Sequence, residues 1–263
     1  NLETLLELAF FIARRTARSL CGARPGVMER IAVVSVALSV GAMILALAVI
    51  MGFKREITHK IAGFAAHATL TDVRSVRAFD STPVLRSERL EDFVGGVDGF
   101  VSMTPYAVRS GIVRTDETVE GILLKGVDST YDWRFFGEWL QEGALPRVGG
   151  VVRTKEILLS RNLARRLRLG VGDRAEMLFV EHGAVPRRDR FKVAGIYSSG
   201  MDEMDNAVIM TDLRNVQRLS DWSAQEVSGY EIFTRDIASS DDFVRRLNRA
   251  ILFDEGDETA NLV

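Results

Sequence analysis

Cysteine is the scarcest residue in this sequence, since the 263 residues contain only one, Cys21. A single cysteine excludes an intramolecular disulfide and every zinc site that is built from paired cysteines. The three histidines, His59, His67 and His182, are far apart and lack the HExxH spacing of a catalytic zinc site. Any folded domain in this chain must therefore be stable without disulfides, even in an oxidising compartment.

Several catalytic motifs are absent as well. The sequence has no GxxxxGK[ST] loop, which excludes ATP hydrolysis by the P-loop route. Ser198-Ser199-Gly200 is not a GxSxG nucleophile elbow, and no histidine follows it. Asp202, Glu203 and Asp205 lack the alternate-residue spacing of an EF-hand loop, so a solvated turn is the better interpretation than a calcium site. We predict no catalytic residue, no cofactor and no metal.

The sequence also lacks a strong excess of charge of either sign, because it contains 34 basic and 36 acidic residues. Residues 54–263 contain 29 basic and 33 acidic side chains, a net charge of −4. A nucleic-acid partner requires a concentrated basic face, which this distribution does not suggest. We therefore expect no nucleic acid among the partners.

What the chain does have is one long apolar run. Residues 31–53 contain no charged side chain, and their only polar side chains are those of Ser35 and Ser39. As a helix this run is ~34 Å long, enough for a hydrocarbon core of about 30 Å. A cleaved signal peptide has an apolar region of only about 7–15 residues close to the N-terminus. The run therefore predicts one transmembrane helix over residues 31–53.

Basic residues on the two sides of the run predict its orientation. Five arginines precede it and three basic residues follow it: Arg14, Arg15, Arg18, Arg24 and Arg30, then Lys54, Arg55 and Lys60. Positive charge in short segments stays cytoplasmic, whereas large domains cross largely regardless of charge. We expect residues 1–30 to be cytoplasmic and residues 54–263 to lie on the other side.

The short leader has its own pattern. Residues 2–20 predict an amphipathic helix, with charged side chains in one sector and leucines and alanines opposite. Such a helix lies in the membrane interface or packs against protein.

In the apolar run, small side chains recur at helical spacing, which favours close packing against partner helices in lipid. These are Ser35, Ser39, Ala42 and Ala46.

Residues beyond the run alternate between strand and helix patterns, which predicts an α+β domain. The helix is expected to continue to Phe64. Strands are predicted near 67–73, 100–114, 118–127, 174–181, 190–197, 206–211 and 229–235, and helices near 84–94, 212–219 and 239–251. The aromatic side chains of Trp133, Phe135, Phe136 and Trp139 favour a small aromatic core over a cofactor-stacking site.

Two further local predictions concern residues 154–190. The segment 154–170 predicts the clearest helix of the chain, with Thr154 as its N-cap and Gly170 ending it in the left-handed conformation. Ile157, Leu158, Leu163, Ala164 and Leu167 would form its buried face. The charged run RRDR at 187–190 is interpreted as the tip of a hairpin.

Three segments carry a family resemblance. They are VIMGFKREITHKIAGFAAHATLTD at 49–72, LSRNLARRLRLGVGDRAEMLF at 159–179 and FKVAGIYSSGMDEMDNAVIMTDLRNVQRL at 191–219. They resemble LolC/LolE-type permeases, the lipoprotein-releasing ABC transporters of Gram-negative bacteria, within the FtsX/MacB-like superfamily. The most specific piece is GIYSSGMDEMDN at 195–206.

The resemblance implies one subunit of a permease dimer in the bacterial inner membrane. It implies four membrane helices, with a MacB-like periplasmic core domain over residues 54–263 in two subdomains, and further transmembrane helices that this chain lacks. The implied partners are an ATP-binding cassette ATPase, a second permease subunit, acylated lipoprotein cargo, membrane lipid and a periplasmic carrier. The bulky side chains of Met43, Leu47 and Ile50 would contact lipid chains or cargo. The hairpin at 181–190 is shorter than that of the carrier-capturing family member, which leaves carrier binding open.

Two other classes of function stay open at this point. One is an FtsX/MacB-type membrane-anchored module that regulates a partner such as a cell-wall hydrolase or exports other cargo. The other is an anchored enzyme, which the absence of catalytic motifs disfavours.

Overall fold

The computed structural model describes residues 11, 26–64, 66–75, 82–115, 118–180, 186–200, 207–235, 239–253 and 262. The chain divides into two units, residues 1–58 and residues 59–263. The predicted leader helix over residues 2–20 lies outside the described residues apart from Phe11. The same is true of Asp202, Glu203 and Asp205.

The apolar run lies in a long helix, α1 (Val27–Phe64), of 38 residues. Its part from Val27 to Lys54 is long and apolar enough to cross a membrane, as judged by length and composition. At about 1.5 Å per residue this part measures ~42 Å. The helix continues beyond the apolar run to Phe64, as predicted.

The second unit consists of strands with helices between them, so the predicted α+β class is confirmed. The described strands are β1 (Ala68–Thr71), β2 (Val84–Leu85), β3 (Phe100–Arg114), β4 (Val119–Val127), β5 (Leu140–Gly143), β6 (Glu156–Ser160), β7 (Arg174–Phe179), β8 (Arg187–Tyr197), β9 (Val208–Asp212), β10 (Glu226–Val227) and β11 (Gly229–Thr234). The helices are α2 (Glu88–Gly95), α3 (Arg134–Glu138), α4 (Arg161–Leu167), α5 (Leu213–Leu219) and α6 (Ser240–Phe253). The division of this region into two subdomains stays a prediction.

One mixed sheet runs through this unit in the order β1-β11-β3-β4-β9-β6-β8-β5, and β7 pairs with both β3 and β8. The β4–β9 and β6–β8 pairs are parallel, and the other pairs of this sheet are antiparallel. The first strand, β1, pairs with β11, so that Ala68 lies opposite Ile232. An isolated antiparallel bridge joins Asp72, just after β1, to Leu262.

Two apolar clusters pack on the sheet. The larger cluster includes Leu90 of α2, Leu163 of α4, Val216 of α5 and Phe243 of α6. The smaller cluster is aromatic and includes Tyr131, Phe135, Phe136 and Tyr197, with Trp133 and Trp139 packed against it. Neighbouring residues of a strand point to opposite faces, and in β6 Ile157 and Leu159 join the larger cluster while Leu158 joins the smaller one. The clusters therefore lie on opposite faces, and the predicted small aromatic core is confirmed.

The helix predicted over residues 154–170 is wrong in its first half. Glu156–Ser160 is strand β6, because its consecutive apolar side chains fill the cores on both faces of the sheet. The α4 helix begins after Ser160, whose hydroxyl accepts a hydrogen bond from the Leu163 N–H at 3.1 Å. Ser160 rather than Thr154 is thus the N-cap, and the left-handed residue at the C-terminus is Arg168, with φ of 52°, rather than Gly170.

The interpretation of residues 187–190 as a hairpin tip is also wrong. These four residues belong to β8 and pair with β7, with Arg187 opposite Phe179 and Arg190 opposite Glu176.

Another correction concerns the helix predicted over 84–94. It begins only at Glu88, where the Ser87 hydroxyl caps it, because Val84–Leu85 pairs with β10 instead.

Candidate functional site

The predicted packing stripe lies on α1. Ser35, Ser39, Ala42 and Ala46 are all exposed along this helix. At about 100° per residue, the four side chains fall within an arc of roughly 60°. The Ser39 hydroxyl donates a hydrogen bond to the Ser35 carbonyl at 2.9 Å. This internal bond satisfies the Ser39 hydroxyl, so the Ser39 side chain can face an apolar surrounding without an unpaired donor.

The predicted lipid-contact residues form a second face of the same helix. Met43, Leu47 and Ile50 expose 65%, 47% and 61% of their surface. By the helical rotation of about 100° per residue, this face is centred about 80° from the small-residue stripe. The structure therefore places the two predicted sets on neighbouring faces of one helix, and their roles stay predictions.

A buried polar group lies in the sheet of the second unit. The Lys125 ammonium on β4 and the Glu231 carboxylate on β11 form an ion pair, with side chains only 12% and 9% exposed. The ammonium also lies 5.8 Å from the Tyr106 ring centroid and 5.5 Å from that of Tyr131. Burial raises the pKa of Tyr106 to about 12, and the Glu231 charge adds to this rise. Burial likewise raises the pKa of Tyr131 well above its usual value.

The second unit also has a charged cleft that was not predicted from the sequence. A cavity of about 410 Å³, which we call the basic cleft, lies where β6, β7 and β8 run side by side. Its lining residues are Arg147, Thr154, Lys155, Glu156, Arg174, Arg190, Phe191 and Lys192. The cleft was missed because its cations come from separate segments, and only strand register brings them together. The alternation of charged and apolar residues in β7 and β8 is the signal that could have revealed it.

Within the part of the chain that the structure describes, no three His, Cys, Asp or Glu side chains lie together as a metal site.

The fold is that of an α+β protein with one N-terminal apolar helix long enough to cross a membrane. The family model for the MacB-like periplasmic core domain matches residues 31–250. The chain belongs to this family.

Two relatives show the same similarity over nearly the whole chain. The lipoprotein-releasing system transmembrane protein LolC of Neisseria meningitidis serogroup B is 26% identical over 249 residues, which is 90% of this chain and 55% of the relative. LolC of Xylella fastidiosa strain Temecula1 is 24% identical over 252 residues, which is 88% of this chain and 56% of the relative. The chain thus spans about half the length of these relatives.

Two solved structures are also similar. The periplasmic region of MacB from Actinobacillus actinomycetemcomitans has a TM-score of 0.44 and 14% identity, and the match covers 72% of this chain and 86% of that one. The extracellular domain of the noncanonic ABC-type transporter YknZ from Gram-positive bacteria has a TM-score of 0.43 and 16% identity. This match covers 69% of this chain and 90% of that one.

Proposed function

We propose that this chain is part of the permease subunit of an ABC transporter that extracts lipoproteins from the inner membrane of a bacterium. ATP hydrolysis takes place on a separate ATPase subunit, and a second permease subunit completes the transporter. The observation that carries the proposal is the combination of an apolar helix with a MacB-like core domain in a chain 26% identical to a lipoprotein-releasing protein.

The helix supports a mechanical role for the domain. One uninterrupted helix, Val27–Phe64, contains both the apolar span and the residues that lead into the second unit. A helix resists bending better than a Gly/Ser-rich linker, which behaves as a flexible coil. Movement that ATP hydrolysis produces at the membrane can therefore be passed along α1 to the periplasmic domain.

Two faces of α1 support two different roles in the proposed transporter. Acyl chains of a lipoprotein require an apolar surface, which Met43, Leu47 and Ile50 provide. The neighbouring stripe of Ser35, Ser39, Ala42 and Ala46 allows another helix of the permease to approach closely. In this arrangement one face binds lipid or cargo and the other packs within the permease.

The test is lipoprotein release by the complete permease, reconstituted with its ATPase in liposomes. We expect the triple variant M43A/L47A/I50A to release at least tenfold less lipoprotein per ATP hydrolysed. The matched control is V34A/L38A/L45A, which truncates three exposed side chains on the opposite side of α1. Normal release by an assembled M43A/L47A/I50A transporter would remove the cargo role from this face.

The second candidate is an FtsX/MacB-type module that regulates a cell-wall hydrolase or exports other cargo. Family membership favours it equally, since the MacB-like core domain does not itself define the cargo. Depletion of the protein separates the two candidates. Lipoproteins retained in the inner membrane support the first, whereas normal sorting together with copurification of a hydrolase supports the second.

A further inference from the structure

Two positive charges face each other in the basic cleft. Arg174 on β7 and Lys192 on β8 are directly opposite in the antiparallel pairing, and both are exposed. Like charges at such positions destabilise a sheet. Among the residues that the structure describes, no carboxylate lies within ion-pair distance of either side chain. Among these described residues, Arg174 and Lys192 therefore have no close ion-pair partner, and Glu156 acts on Lys192 only over a longer distance.

The other three cations of the cleft are already paired. The Arg147 guanidinium lies 2.7 Å from the Glu156 carboxylate, and Arg190 lies 3.1 Å from Glu176. Lys155 pairs with Asp189. These contacts leave the positive charges of Arg174 and Lys192 for a ligand.

Glu156 is the one carboxylate in the lining, and it is fully engaged. Its oxygens accept hydrogen bonds from the Arg147 backbone N–H at 2.9 Å and from the guanidinium at 2.7 and 3.2 Å. Glu156 lies opposite Lys192 in the β6–β8 pairing, yet the two groups do not come within ion-pair distance. Five cations and one carboxylate therefore line the cleft, and its surplus charge is positive.

We propose that the basic cleft binds a phosphate group between Arg174 and Lys192. A phosphate monoester carries a charge of about −1.5 to −2 at pH 7, which matches two unpaired cations. A carboxylate would neutralise only one of them. The Arg174 fork suits two phosphate oxygens at once, and the Lys192 ammonium supplies a point charge.

The cavity is larger than a bare phosphate ion. Its volume of about 410 Å³ falls within the usual range of ligand sites, about 300–1,000 Å³. The group to which the phosphate is esterified therefore has room beside the two cations. Free phosphate, a soluble phosphomonoester and a phosphomonoester lipid such as phosphatidic acid share this chemistry.

The test is thermal unfolding of the full chain in detergent, titrated with sodium phosphate at constant ionic strength. The chain's three tryptophans, Trp133, Trp139 and Trp222, all lie in the second unit and report its unfolding. We expect a saturable rise in Tm for the wild type. The variant R174Q/K192Q should need at least tenfold more phosphate for the same rise.

The matched control is R165Q/R188Q, which also removes two exposed positive charges but none from the lining of the cleft. It should respond to phosphate like the wild type. Without phosphate, R174Q/K192Q should unfold at the same temperature as the wild type or higher, because the substitution relieves a repulsion. An equal phosphate response from the wild type and R174Q/K192Q, or no response from either, overturns the proposal.

Two further titrations identify the source of the phosphate group. One uses glycerol 3-phosphate, and the other uses mixed micelles of phosphatidic acid, with phosphatidylcholine micelles as the reference. A response at lower concentration to phosphatidic acid assigns a lipid headgroup, and an equal or stronger response to the soluble compounds assigns a soluble anion. Both outcomes support the site, provided that R174Q/K192Q loses the response.

Discussion

Lys125 and Glu231 form an ion pair that crosses over strand β3, with 2.5 Å between Nζ and Oε1. Lys125 belongs to β4 and Glu231 to β11, and both strands pair with β3 from opposite sides. The two side chains thus join strands that share no backbone hydrogen bonds. Because both groups are largely buried, neither can exchange its partner for water.

Loss of one partner should therefore destabilise the domain strongly. We expect K125M to lower the free energy of unfolding by about 3–5 kcal/mol, since it leaves the Glu231 charge buried and unpaired. The double variant K125M/E231L should recover most of this loss. Urea unfolding followed by tryptophan fluorescence measures both, and a double variant as unstable as K125M would show that the charge is not the cause.

Helix α5 packs closely on β4 at Gly126. A Cβ atom at this position would lie 2.8 Å from the Leu213 Cα and 2.9 Å from a Val216 methyl group. We expect G126A to destabilise the unit by about 1–3 kcal/mol through this overlap. The matched control is G121A on the same strand, where nothing lies within 4 Å of the added methyl group. Equal stability of the two variants in urea unfolding would contradict the close packing.

Arg168 ends α4 in the left-handed conformation, with φ of 52°. Glycine adopts this conformation without the steric penalty of a Cβ atom, which is about 1–2 kcal/mol. We expect R168G to be more stable than R168A by about 1 kcal/mol, because both variants lose the same side chain. Unfolding in urea measures the difference, and a more stable R168A would argue against the left-handed C-cap.

The Glu156–Arg147 pair makes stability depend on pH in the acid range. Hydrogen bonds from the Arg147 guanidinium lower the pKa of Glu156 below its usual value. Its stabilising contribution is therefore complete above the unfolded pKa of about 4.3 and is lost as the pH falls through the lower folded pKa. We expect the stability difference between wild type and E156Q to shrink below about pH 4.3.

Arg147 provides the control for this pH effect. The variant R147Q removes the main cause of the lowered pKa, so its acid unfolding should resemble that of E156Q. A difference between wild type and E156Q that stays constant from pH 7 to pH 3 would contradict the assignment.

Long segments made much of the fold predictable. Strands β3 and β4 are 15 and 9 residues long, and the predicted bounds of 100–114 and 118–127 nearly match the observed ones. The apolar length of α1 was equally clear. The strand before Ser160 was not predictable. Ile157, Leu158 and Leu159 are buried on both faces of the sheet, and periodicity does not distinguish such a short apolar run from part of a helix.

The candidate sites also differ in how far the sequence predicts them. The two faces of α1 follow from spacing within one helix, so the sequence alone predicts them. The basic cleft depends on the register of β6, β7 and β8, which sets Glu156, Lys192 and Arg174 side by side. Register between strands distant in the sequence is set by tertiary packing, and a single sequence does not reveal it.

The pairing of β1 with β11 has a consequence for synthesis of the protein. Ala68–Thr71 is the first described strand after α1, yet its partner Gly229–Thr234 is translated about 160 residues later. A ribosome adds about 5–20 residues per second, so the partner of β1 is synthesised roughly 10–30 seconds after β1 itself. Throughout that interval β1 lacks its partner strand, and the order β1-β11-β3 forms only after β11 has been made.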